Sequence, residues 1–188
     1  MNKYYSKQSL WSLFLICAFP LHLWTLLLAF RDISWVAERT NFWDAIGVVS
    51  YGMIFAFFES IIFFLFALLS GMLVPVGWGK DKRLAIMSVL TLILALWAMF
   101  PQLYALLSWN IPDWLIRSLV ESAHPLRNIY AIALAFTIPS VVLPILMIYR
   151  SEKILRNILD GIDRLSLLTS LYLFFDLIAL IVLIIRNV

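Results

Sequence analysis

The sequence predicts an all-α, polytopic membrane helix bundle of about five transmembrane helices with short interfacial amphipathic helices, and three observations carry that prediction. Hydrophobic residues make up 64% of the 188, charged residues only 13%, and the mean hydropathy is +0.98. A water-facing globule of this size needs about 25% charged residues to coat itself, so lipid must cover much of the surface. Five apolar stretches each reach the roughly 20 residues that cross a hydrocarbon core about 30 Å thick.

Those stretches are 9–30, 46–74, 84–107, 128–149 and 165–185. The first ends at Arg31 and Asp32. It has no A-x-A-like cleavage site behind it, so it is expected to be a retained helix. The second stops at Pro75, with Gly77 and Gly79 following. Pro112 and Asp113 mark a helix start between the third and fourth spans. Before the fifth span, Ile154, Leu155, Ile158, Leu159 and Ile162 recur at helical spacing against Lys153, Arg156 and Asp160. That pattern predicts an amphipathic helix that lies on the membrane surface or extends the last span. No loop is long enough to hold a soluble domain, so 1–188 reads as one transmembrane domain.

Charge orients the bundle. Lys3, Lys7, Lys80, Lys82, Arg83, Arg150, Lys153, Arg156 and Arg164 fall on one side of the alternating spans. Arg31, Arg39, Arg117, Arg127 and Arg186 fall on the other. Basic residues concentrate on the cytoplasmic side, which predicts a cell-membrane protein with its N-terminus cytoplasmic and its C-terminus external.

Hydrophobic attraction does not drive helices together in lipid, so close packing by small and weakly polar residues must do so. Each span carries such a stripe at steps of three and four. They are Ala18, His22, Thr25 and Ala29; Gly52, Ala56, Ser60, Ala67 and Gly71; and Ser88, Thr91, Ala95, Ala98, Gln102 and Ala105. The fourth span offers Tyr130, Ala133, Thr137, Ser140 and Pro144, and the fifth Thr169, Tyr172, Asp176 and Ala179. Pro20, Pro101, Pro139 and Pro144 lie inside spans, where kinks are expected.

Three ionisable residues, His22, Glu59 and Asp176, sit at similar depth within the spans. An acidic group at the bilayer centre costs about 2.5–3.5 kcal/mol on insertion scales. Glu59 shares its spacing with Gly52 and Ala56, and Asp176 with Thr169 and Tyr172, so both are expected to point toward protein. The sharp expectation is one buried polar centre of His22, Glu59 and Asp176. Thr25, Ser60, Thr91, Gln102, Thr137, Ser140 and Tyr172 would support it. The plain expectation is three separate hydrogen-bonding staples between helices.

Other chemistry has little footing. One cysteine and two histidines give no thiolate cluster and no paired haem or metal site. H-E-x-x-H, P-loop and G-x-S-x-G motifs are absent from the sequence, so no cofactor and no catalytic residue is assigned. A net charge of +3 without a basic run gives nucleic acid no binding surface. Two functional readings remain. The first is a non-catalytic small subunit, an assembly or interaction partner that contacts the lipid bilayer and a second membrane protein or further copies of itself. The second is a small transporter or membrane enzyme that uses His22, Glu59 and Asp176 for proton, ion or substrate handling.

Overall fold

The structure, a computed structural model, describes residues 4–188. It contains α1 (Lys7–Arg39), α2 (Phe42–Gly71), a 3-10 turn (Val76–Trp78), α3 (Gly79–Leu106), α4 (Asp113–Val120), α5 (Pro125–Arg150) and α6 (Glu152–Asn187). There are no strands among the described residues. All of these helices except α4 are long and apolar enough to cross a membrane, and together they form an all-α bundle.

The helix starts follow local chemistry. Ser6, Asn41 and Ser151 are N-caps whose side-chain oxygens accept from the backbone N–H of Ser9, Asp44 and Ile154. Each satisfies one of the orphan donors of a first turn. Asn41 also explains where the structure departs from the sequence expectation. The segment after 30 is not a loop of some fifteen residues. It stays helical to Arg39, and only Thr40 and Asn41 separate α1 from α2. No Gly or Pro interrupts 31–39, so polar side chains end the apolar stretch without ending the helix. The amphipathic segment 152–164 likewise extends the last span, which makes α6 one helix of 36 residues. The second span ends at Gly71 rather than Val74. The turn into α3 places Gly79 at φ +79°, a left-handed backbone that glycine adopts without strain.

With short connections the long helices alternate in direction. The bundle therefore has a proximal end, holding the start of α1, and a distal end, holding the end of α6. Helix α1 is the central element and packs against α2, α3 and α6; α5 touches only α3, α4 and α6. Both apolar clusters lie in the proximal half. One joins Tyr5, Leu13, Ile16, Cys17, Ala67, Leu84, Met87 and Ile162. The other joins Ala85, Ile86, Ile148 and Leu155. Small residues make this approach close. At Gly71 even a single added carbon would overlap the Tyr5 hydroxyl.

Arg83 holds this end together, a role that its place among the loop charges does not foretell. It is wholly buried. Its Nη1 donates to Tyr4 O at 2.8 Å, and its Nη2 to Val74 O at 2.9 Å and Pro75 O at 3.1 Å. The guanidinium lies over the rings of Tyr4 and Tyr5, 5.0 and 5.8 Å from their centroids. Three carbonyls and two ring faces thus take the place of a counter-ion. Burial raises the pKa of the Tyr5 hydroxyl while the Arg83 charge opposes that shift, so the phenol stays neutral. At the distal end, Arg186 donates to Asp44 Oδ1 at 2.7 Å and to Trp43 O, joining the end of α6 to the start of α2. Its guanidinium occupies the space that a Cβ at Gly47 would fill.

Arg83→Ala leaves Tyr4 O and Val74 O without donors, while Pro75 O keeps the N–H of Trp78, and is expected to destabilise the detergent-purified chain by about 3 kcal/mol. Arg83→Lys should fall between, because one ammonium cannot span the three acceptors as a planar fork does. Thermal unfolding of the two variants beside the parent checks both.

Candidate functional site: a His–Asp pair and a separate glutamate groove

Helices α1 and α6 meet at His22 and Asp176. His22 Nε2 lies 2.8 Å from Asp176 Oδ2, and His22 Nδ1 lies 2.8 Å from Ala18 O, one turn back on its own helix. His22 is fully buried and Asp176 is 6% exposed. The proton count follows from donor chemistry. A carbonyl oxygen can only accept, so Nδ1 carries a proton. A second proton must lie between Nε2 and Oδ2. The pair therefore holds two protons and no net charge, whether the second sits on nitrogen or on oxygen. Moving it between them leaves the net charge of the site unchanged, so the pair sits in an apolar interior without a lone ion.

Aromatic rings fix the imidazole. Tyr172, one turn before Asp176 on α6, stacks on His22 with centroids 6.3 Å apart and planes 12° apart. Its other neighbour is Phe19, at 6.2 Å and 15°. Phe19 and His22 are three residues apart on α1, so one tyrosine fits against both. Asp176 Oδ1 has no hydrogen-bond partner among the described residues although it is buried. It is a free acceptor beside the shared proton.

Glu59 does not join this pair. Its side chain is exposed and makes no ion pair among the described residues. The expectation that it points into protein is corrected by the helix angle. The buried residues of α2 include Ala45, Ser50, Met53, Ala56, Ser60, Ala67 and Gly71, an arc with Ser60 near its middle. At 3.6 residues per turn, Glu59 lies about 100° away from Ser60. Gly52, which shares its spacing with Glu59, is itself only half-buried. Glu59 instead lines two grooves. One, of about 590 Å³, lies among α1, α2 and α3 with Leu21, Trp24, Phe63, Phe66, Ala98 and Gln102. The other, of about 330 Å³, follows the α1–α2 seam past Thr25 and Gly52 to Asp32.

The remaining polar residues are dispersed. Ser60 is buried and donates to Ala56 O at 2.6 Å. Thr91 is buried with its Oγ1 3.9 Å from Cys17 Sγ. Gln102 Oε1 accepts from Trp24 Nε1 at 2.8 Å. Ser140 accepts from Trp97 Nε1 at 3.1 Å and donates to Thr137 O at 2.8 Å. Thr25 is half-buried opposite Gly52. Tyr172 alone of this set reaches the His–Asp pair. Among the described residues no three His, Cys, Asp or Glu side chains converge as metal ligands would. Sequence reasoning missed Phe19 and Arg83. For Phe19 the signal was present in its three-residue offset from His22.

Comparison with protein-family models, with curated proteins and with solved structures gives no match for this chain.

Asp176→Asn can still donate a hydrogen bond to an unprotonated Nε2, whereas Asp176→Leu leaves that nitrogen buried and unpaired. We expect the asparagine variant to keep most of the parent's thermal stability and the leucine variant to lose about 1–2 kcal/mol. Parallel unfolding curves in detergent check this. Equal damage from both would show that the pair requires a carboxylate.

Proposed function

We propose that this chain is a multi-pass membrane protein whose role is to assemble with another membrane chain or with copies of itself, as a non-catalytic subunit. One observation carries this reading: α5 is almost unpacked. Of its 26 residues only Ile148, near the proximal end, is buried. Tyr130 and Ala133, on its small and weakly polar stripe, are exposed, and Thr137 is half-buried. Lipid gives small side chains no advantage over leucine, whereas a neighbouring helix approaches more closely over them. The exposed part of the α5 stripe, Tyr130 and Ala133, thus matches the surface that a further helix would cover.

The charge bias of the loops supports a cytoplasmic N-terminus in the cell membrane. Burial of Arg83 removes one charge from the proximal side, and the remaining eight still exceed the five at the distal side. A second reading, proton or substrate handling, is favoured by the geometry of His22 and Asp176, because a neutral two-proton pair with a free buried oxygen suits transfer. Assembly is preferred because it accounts for a whole helix and not for one bond.

The test is stoichiometry. Chain expressed at its native level and extracted in mild detergent is expected to appear by native mass spectrometry in a complex of fixed composition. The variant Ala133→Trp should abolish that complex without lowering the unfolding temperature of the chain, since Ala133 is exposed. A monomer that retains its cellular phenotype would overturn the assembly reading.

A further inference from the structure

Glu59 lies near the middle of α2, roughly 25 Å along the helix from Phe42 and 18 Å from Gly71 at 1.5 Å per residue. In a bilayer that is a costly place for a carboxyl group, which must be neutralised by a proton, a donor or a cation. The nearby carboxyls are provided for: Asp32 is paired with Arg31 at 2.6 Å, and Asp176 with His22. Glu59 has no such partner among the described residues. It opens instead into the groove of about 590 Å³.

The groove has the properties of a ligand site. Its volume falls in the range of about 300–1,000 Å³ that small-molecule pockets occupy, with apolar walls and few polar groups. The rings of Trp24, Phe63 and Phe66 line it together with the carboxylate, and aromatic faces attract cations. The indole N–H of Trp24 is already committed to Gln102 Oε1, so it is not free to receive an anion. A metal ion is poorly served, since a single carboxylate supplies one hard ligand where six or more are wanted. A second copy of this chain cannot supply the charge either, because no Lys or Arg falls inside the apolar stretches 9–30, 46–74, 84–107, 128–149 and 165–185.

We propose that the groove between α1, α2 and α3 binds a lipophilic monovalent cation, such as an amine or onium ion with bulky apolar substituents, which enters laterally from the bilayer and places its charge against Glu59. This site lies on the face of α3 opposite the one that meets α5 at Trp97 and Ser140. It therefore does not depend on the assembly reading, and occupation of one face leaves the other free.

The full-length chain in nanodiscs of zwitterionic lipid is titrated with radiolabelled tetraphenylphosphonium. Saturable binding is expected. Glu59→Gln should weaken it about tenfold or more, the effect of removing one partner of a charge pair. Ala98→Phe, which fills the groove without touching the carboxylate, should weaken it similarly. Tetraphenylborate has nearly the same shape and the opposite charge and, titrated separately, should show no saturable binding. Both side chains are exposed, so each variant is expected to fold, and its thermal unfolding is recorded alongside. Absence of saturable binding to the parent chain, parent-like affinity in either variant, or saturable binding of tetraphenylborate would overturn the proposal.

Discussion

A polar group inside an apolar bundle needs a partner from the protein itself, and at the junction of α1 with α6 two such groups supply each other. His22 and Asp176 are separated by most of the chain, yet one proton shared over 2.8 Å ties together helices that run in the same direction and are not joined by a loop. Ala18 O takes the other imidazole proton and Tyr172 covers the ring, so the pair is oriented on every side except at Asp176 Oδ1. Helix α1 could not hold its central place among α2, α3 and α6 with a lone imidazole on its buried face. Neutrality of the pair is what lets that face be buried.

From this junction the packing tightens in one direction and loosens in the other. Toward the proximal end, Tyr5, Cys17, Ala67, Met87 and Ile162 form a continuous apolar cluster, and buried Arg83 binds the chain before α1 to the α2–α3 turn. Toward the distal end, Arg186 and Asp44 join α6 to α2, while α5 touches neither α1 nor α2. The result is a bundle closed at one end and open along its sides at the other. The glutamate groove and the unpacked stripe of α5 both belong to the open half. Opposite faces of α3 border the groove and α5, so the candidate ligand site and the exposed stripe of α5 do not overlap.

Much of this architecture is legible in the sequence because membrane helices announce themselves by length and hydropathy. The five spans, the start of α4 at Asp113 and the stripes on α1, α2 and α6 follow from apolar runs and from steps of three and four. What was not legible depended on angle and on partners. Glu59 and Ser60 are adjacent in the sequence, and both were expected to face protein, but a rotation of about 100° per residue puts one in the interior and the other in a groove. The stripe of α5 looks no different from those of its neighbours, since a pattern records suitability for packing and not whether a partner is present. Arg83 read as a surface charge because nothing local marks the three carbonyls and two rings that enclose it. The His22–Asp176 contact needed the tertiary fold, since any of the three ionisable residues could have paired with another.

The central claim is that His22 and Asp176 stabilise the bundle through each other rather than separately. A double-mutant cycle with His22→Phe, Asp176→Leu and the combined variant, followed by unfolding in detergent, measures this directly. Coupling of about 1–2 kcal/mol is predicted, with the double variant more stable than the sum of the single losses implies. Strictly additive losses would contradict the account.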